Sequence, residues 1–256
     1  MGGMRLPLLL ILACAGPEST DSALSESTAV TQPTPPGPGA TQTGNTGTVS
    51  PCPMHMALVQ GQDGPFCIDR YEAWLEGRSP YEVVEDTDGI ATTGPGEAPQ
   101  GYISQTAAAA ACTNANKRLC TTDEWMRACQ GPAGWTYPYG NDYDPSACNE
   151  GRAHPVITYF GSTPDWSTTE MNHPALNQLA DGLAAGGDYA ACLSAEGVWD
   201  LHGNLHEWID DPDGTFKGGF YVDAVINGAG CGYTTTAHTV TYHDYSTGFR
   251  CCSETQ

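Results

Sequence analysis

Basic residues are scarce in this chain: 9 Lys and Arg stand against 30 Asp and Glu over 256 residues, a formal charge of -21. A molecule so negative repels phosphate backbones, which excludes nucleic acid as a partner and favours cationic or neutral ones. Charged residues are also thin overall, at 15%, so highly charged disorder does not describe the whole chain. The most apolar stretch, Leu6–Leu12, is less than half the roughly 20 residues that a membrane-spanning helix needs. There is no internal repeat, and no nucleophile–base arrangement that marks a hydrolase. What abounds is cysteine, 11 residues, with 31 Gly and 19 Pro. So many cysteines point to an exported, disulfide-bearing domain rather than a reduced cytosolic enzyme.

The N-terminus carries an address. Arg5, the apolar run Leu6–Leu12 and the small Ala13 before Cys14 describe a secretory signal peptide over residues 1–13. Ile11-Leu12-Ala13-Cys14 also resembles the bacterial lipobox, which implies a lipidated Cys14 at the mature N-terminus. Ala15 follows where an Asp would favour the inner membrane in known lipoproteins, so the resemblance implies the outer membrane or cell surface. Residues 14–51 read as a tether: Ser25–Ser50 holds no aromatic and no basic residue, and cannot bury enough apolar surface to offset its ordering entropy. The expected order is a signal peptide (1–13), a lipidated linker (14–51) and one domain (52–256).

Setting Cys14 aside leaves ten cysteines, all between Cys52 and Cys252, an even number that permits five bridges. Spacing alone leaves the pairing open. Within the domain, Met56–Val59 and Phe66–Ile68 read as strands about a Gly61–Pro65 turn. The alanine-rich Gln105–Asn114 reads as a helix capped by Ser104. Thr121-Thr122-Asp123-Glu124 is a capping-box pattern opening a second helix, which Gly131-Pro132 stops. Beyond residue 131, Gly, Pro, Asn, Asp and Tyr dominate, which predicts long ordered loops. Fold class: α+β, loop-rich, with little regular structure. Trp125, Trp199 and Trp208 are expected in the core, and Trp135, Tyr137 and Tyr139 are candidates for the surface.

Three motifs carry a resemblance. They are Asn116–Trp125 (continuing to Tyr137-Pro138-Tyr139-Gly140), Gly197–Trp208 with its Gly203-Asn204-Leu205-His206-Glu207-Trp208 end, and Lys217-Gly218-Gly219-Phe220 closed by Thr247-Gly248-Phe249-Arg250-Cys251. In that order they resemble the formylglycine-generating enzyme (sulfatase-modifying factor) family, and Phe66–Glu72 resembles its N-terminal strand. The resemblance implies a variant of the C-type-lectin fold, and an oxidase converting a sulfatase cysteine to formylglycine with O2 and copper. Soft thiolates select Cu(I). By the family's pattern the two thiols fall at Asp223 and Gly228, neither of which supplies a thiolate. Cys231 is an alternative donor if the loop is offset, but the resemblance gives it a bridge to Cys129. A second bridge implied by the family joins Cys112 to Cys251. For the remaining six, Cys52–Cys67, Cys148–Cys192 and Cys120–Cys252 are working guesses. Copper is therefore not expected.

The resemblance implies calcium instead. Asp200 and Glu207 by side chain, and Gly203 and Leu205 by carbonyl, match a calcium loop of the family, and Asn149-Glu150 matches the start of another. Calcium takes six to eight oxygens, which such loops offer. Of the histidines, His202 and His206 flank Gly203-Asn204 and read as structural. His238 and His243, near Asp244 and Tyr245, are cleft candidates together with Asp223. The acidic Asp210–Gly214 lacks EF-hand spacing and reads as a solvated turn. The expected function is a surface-tethered, non-oxidising binding or assembly module for an unknown protein, peptide or glycan. The alternative is a formylglycine-generating-type oxidase with an altered site built from His238, His243 and Asp223.

Overall fold

The structure, a computed structural model, describes residues 50–256. The expected signal peptide, Cys14 and the linker as far as residue 49 lie outside the described residues. Strands β1 (Met56–Gln60) and β2 (Pro65–Asp69) pair antiparallel, closed by the Gly61 N–H on the Gly64 carbonyl at 3.0 Å. The pleat sends Ala57 and Val59 inward and Leu58 outward. A separate two-stranded sheet joins β3 (Trp74–Leu75) to β4 (Ala91–Thr92).

Helix α1 (Gln105–Asn114) starts where the Ser104 hydroxyl accepts the Ala107 N–H at 3.2 Å. Its small buried face, Ala107, Ala108, Ala111 and Cys112, lets it lie close on the core. After β5 (Arg118–Leu119), α2 (Thr122–Gln130) opens with a complete capping box between Thr121 and Glu124 and buries Trp125, Ala128 and Cys129. Gly131 ends it at φ 61, a conformation that costs other residues more.

Beyond residue 131 the loops expected from composition are interrupted by short elements. These are α3 (Pro155–Phe160), α4 (Thr168–Met171), β6 (His206–Trp208), β7 (Phe216–Lys217), β8 (Thr234–Thr235), β9 (Thr247–Phe249) and β10 (Cys251–Glu254). Two four-stranded sheets result, β1-β2-β10-β5 and β8-β7-β6-β9, the latter with one parallel pair, β6 with β9. Consecutive strands β9 and β10 belong to different sheets, and the single residue between them is Arg250. One core cluster packs α1 beneath Ile103, Trp208 and Phe249; a second packs α2 with Val59, Ile68, Val198, Leu201 and Ile209. Trp199 departs from the expected core position: it is half-buried and stacks on Tyr71 at 5.0 Å. Tyr137 is buried instead of surface-facing, between Tyr139 and His202.

Five disulfides hold these loops: Cys52–Cys67, Cys112–Cys251, Cys120–Cys252, Cys129–Cys231 and Cys148–Cys192. Neighbouring cysteines of β10 thus reach two different elements, Cys251 to α1 and Cys252 to the turn before α2. Among the described residues no helix is long and apolar enough to cross a membrane.

Candidate functional site

The acidic loop 200–207 folds onto Arg250. Glu207, on β6, lies opposite Gly248 of the parallel strand β9, so the next residue after Phe249 reaches it through the sheet crossing. Arg250 Nε and Nη2 donate to the two Glu207 oxygens at 2.6 Å each, and Trp125 Nε1 donates to Oε2 at 2.7 Å. The remaining guanidinium donors reach the carbonyls of Asp69 and Trp199, both at 2.9 Å. All of this is buried, with Arg250 0% and Glu207 1% exposed. Glu72 completes the knot by accepting the Leu205 N–H at 2.9 Å and the Asn204 amide. Asp200 accepts the Gly187 N–H at 2.9 Å.

One cation faces three buried carboxylates here, and the protons respond. Burial first, then the Asp200 and Glu207 charges, push the Glu72 carboxyl well above the usual range. Burial pushes Asp200 up to about 7.

This donor set does not fit calcium as the family pattern implied. Both Glu207 oxygens face Arg250, and Oε2 also takes Trp125, so the carboxylate is committed to a guanidinium rather than turned to an ion. The Asn149 side-chain oxygen accepts Arg152 Nε at 2.8 Å, and the Asn149 carbonyl takes the Asn204 N–H at 2.9 Å. Glu150 points at His202, with 3.3 Å between Oε1 and Nε2. Gly203 serves packing: a Cβ there would lie 2.2 Å from the Asn149 carbonyl oxygen. The side chains expected as ligands are engaged elsewhere, then: Glu207 by Arg250, Asn149 by Arg152, and Asp200 by the Gly187 N–H. Chelation with EDTA is expected to leave the thermal midpoint unchanged; a fall of several degrees, reversed by added calcium, would restore the calcium loop.

The positions assigned to thiols carry none. Asp223 spends one oxygen on the Val225 and Ile226 N–H groups, both at 3.0 Å, and the other on the Tyr233 hydroxyl at 3.0 Å. Gly228 faces the Gly232 carbonyl so closely that a Cβ would sit 2.8 Å from its oxygen. Cys231 is bridged to Cys129. The expected grouping of Asp223 with His238 and His243 is also corrected. Its turn directs Asp223 to its own loop, whereas the two histidines line a separate cleft of about 460 Å³ with Trp166, Met171, Tyr242 and Asp244.

In that cleft His238 lies flat on Tyr242 at 3.8 Å, and His243 Nδ1 meets Asn172 Oδ1 at 2.8 Å. Asp244 accepts the Tyr242 hydroxyl at 2.6 Å, the Ser246 N–H at 2.8 Å and the Ser246 hydroxyl at 2.7 Å. Sequence reasoning missed Trp166 and Tyr242. A signal for Trp166 existed: it precedes Ser167-Thr168-Thr169-Glu170, whose Ser167 hydroxyl caps α4 while Glu170 takes the Trp166 N–H at 3.0 Å.

His206 is structural, as its place beside Gly203-Asn204 suggested. It is buried against Phe216 and Phe220, and burial holds its imidazole down at about 3. The unfolded chain, near 6.5, binds the proton first, so this group's contribution is present above pH 6.5 and is lost as pH falls toward 3. Asp200 works oppositely: its contribution is present below its ordinary value of 3.8 and is lost as pH rises toward 7. The wild-type curve mixes both, but the difference between wild type and His206→Phe isolates the imidazole. His206→Phe is expected to gain stability relative to wild type steadily between pH 6 and pH 4, read by urea unfolding. A constant difference across that range would mean that His206 is protonated without penalty.

Among solved structures, PvdO from Pseudomonas aeruginosa is similar at 15% identity and TM-score 0.47, covering 75% of this chain and 81% of that one. CarF is similar at 18% identity and TM-score 0.48, covering 80% of this chain and 99% of its own. No curated protein sequence matches the chain. Residues 45–254 match the family described as the sulfatase-modifying factor enzyme 1-like domain, so the loops, disulfides and Gly-Gly segment described above are those of a member, and the chain belongs to the FGE-sulfatase family.

Proposed function

We propose that this chain is a non-oxidising member of its family, a lipid-anchored binding or assembly module on the outer membrane or cell surface. The observation that carries this reading is the absence of a thiolate pair among the described residues: all ten cysteines there are in disulfides, and an oxygen and a bare backbone stand at the thiol positions. Without such a pair there is no soft site for Cu(I) and no sulfur to exchange with a substrate thiol. The altered-site oxidase loses support because Asp223 is turned away from His238 and His243. Anchorage through Cys14 rests on the lipobox resemblance, and a C-type-lectin-like descent is part of the same reading, with disulfides and the Glu207–Arg250 pair holding the loops.

Titration of the denatured, unreduced domain with a thiol reagent is expected to find no reactive cysteine. Incubation of the intact protein with a Cys-x-Pro-x-Arg peptide, copper and O2 is expected to leave the peptide mass unchanged. Two reactive thiols with stoichiometric copper, or conversion of the peptide cysteine, would overturn the reading.

A further inference from the structure

We propose that the cleft beside α4 binds a small alkylated ammonium compound, seated against the rings of Trp166 and Tyr242 and countered by the Asp244 carboxylate. This deepens the binding-module reading and rests on it. At about 460 Å³ the cleft has the size of a small-molecule site. Its lining includes aromatic rings, a methionine and two imidazoles, and no Lys or Arg. Trp166 stands at the mouth, 45% exposed, with its edge contact to His154 fixing the ring. His238 stacks on one face of Tyr242, and both rings line the cleft.

Asp244 supplies the charge argument. It is only 4% exposed, and its partners are neutral: a phenol, a hydroxyl and an amide. Among the described residues no ion pair includes it, and a buried carboxylate without a cation beside it is costly. Its field is felt nearby: after burial, the Asp244 charge is the next cause raising the Tyr242 and Tyr245 hydroxyls above their ordinary range. A ligand cation would compensate it. Ring faces attract cations through their quadrupole, and the net charge of -21 raises the local cation concentration. An alkylated nitrogen suits the site better than a primary ammonium, which needs acceptors for three N–H donors.

The test uses the whole protein and two probes, choline and its uncharged carbon isostere, by calorimetric titration. Choline is expected to bind saturably, at least about tenfold more tightly than the isostere. Trp166→Leu, which keeps apolar bulk but removes the ring, is expected to weaken choline roughly three- to thirty-fold with little change in thermal midpoint. Equal binding of the two probes, unchanged affinity in Trp166→Leu, or no saturation by choline at roughly millimolar concentration would each overturn the proposal. Failure of choline alongside a thiol count of zero rejects the cleft alone. Oxidation of the peptide rejects the reading beneath it.

Discussion

Replacing Arg250 by methionine is expected to lower the unfolding free energy by about 3–5 kcal/mol, because it leaves buried carboxylate charge without its cation. Arg250 is the one guanidinium among Glu207, Glu72 and Asp200, and its charge lowers the pKa of both Glu72 and Asp200. The loss should exceed anything attributable to side-chain volume, since methionine fills most of the space. A double variant, Arg250→Met with Glu207→Gln, should recover part of it by removing the orphaned charge. The comparison is Arg78→Met, whose partners Asp86 and Asp88 are largely exposed; solvent screening leaves such surface pairs little to contribute. Urea unfolding of the three variants reads all of this from shifts in midpoint at constant slope. An Arg250→Met loss no larger than that of Arg78→Met would mean that the knot is solvated.

Removing Cys112–Cys251 is expected to cost about 3 kcal/mol, not the roughly 5 kcal/mol that its span of 139 residues suggests in the chain-entropy model. The reason is the neighbouring bridge. Cys120–Cys252 still ties β10 to the turn before α2 in the unfolded chain, so the additional loop closed by Cys112–Cys251 is only about ten residues. By symmetry, removing Cys120–Cys252 alone also costs about 3 kcal/mol. Removing both frees β10 from α1 and β5, with Cys129–Cys231 as the next constraint, and the loss grows to about 6 kcal/mol. The measurement is urea unfolding of the two paired-alanine variants and their combination. A single removal that costs the full roughly 5 kcal/mol would show that the two bridges do not share their constraint.

Helices α1 and α2 were legible because their signals are local. Ser104 and Thr121 cap within three residues of their own position, and the alanine run of α1 needs no distant partner. Strands β6 to β9 were not legible, since two or three residues carry no measurable alternation. Their existence depends on the pairing of Glu207 with Gly248 and of Lys217 with Thr234, set by the folded chain. The same division runs through the site. The acidic loop was visible as Asp200 and Glu207, but its partner Arg250 stands 43 residues further on, and nothing in the spacing joins them. The cleft histidines His238 and His243 were visible as chemistry. That Trp166 joins them was not legible, because it enters the cleft from a segment more than 70 residues away.

What the amino-acid order by itself determined is a composition of donors: ten cysteines between Cys52 and Cys252, an aspartate and a glycine at the two positions where the family resemblance puts thiols, and too few cations to balance the acids. Only the tertiary structure decided how the acids are spent. The crossing of two sheets between Phe249 and Cys251 sets Arg250 among three of them, while a turn of its own backbone keeps Asp223 apart from the histidines. Charge is legible residue by residue; its compensation is a matter of distance through space, and only the folded chain sets that distance.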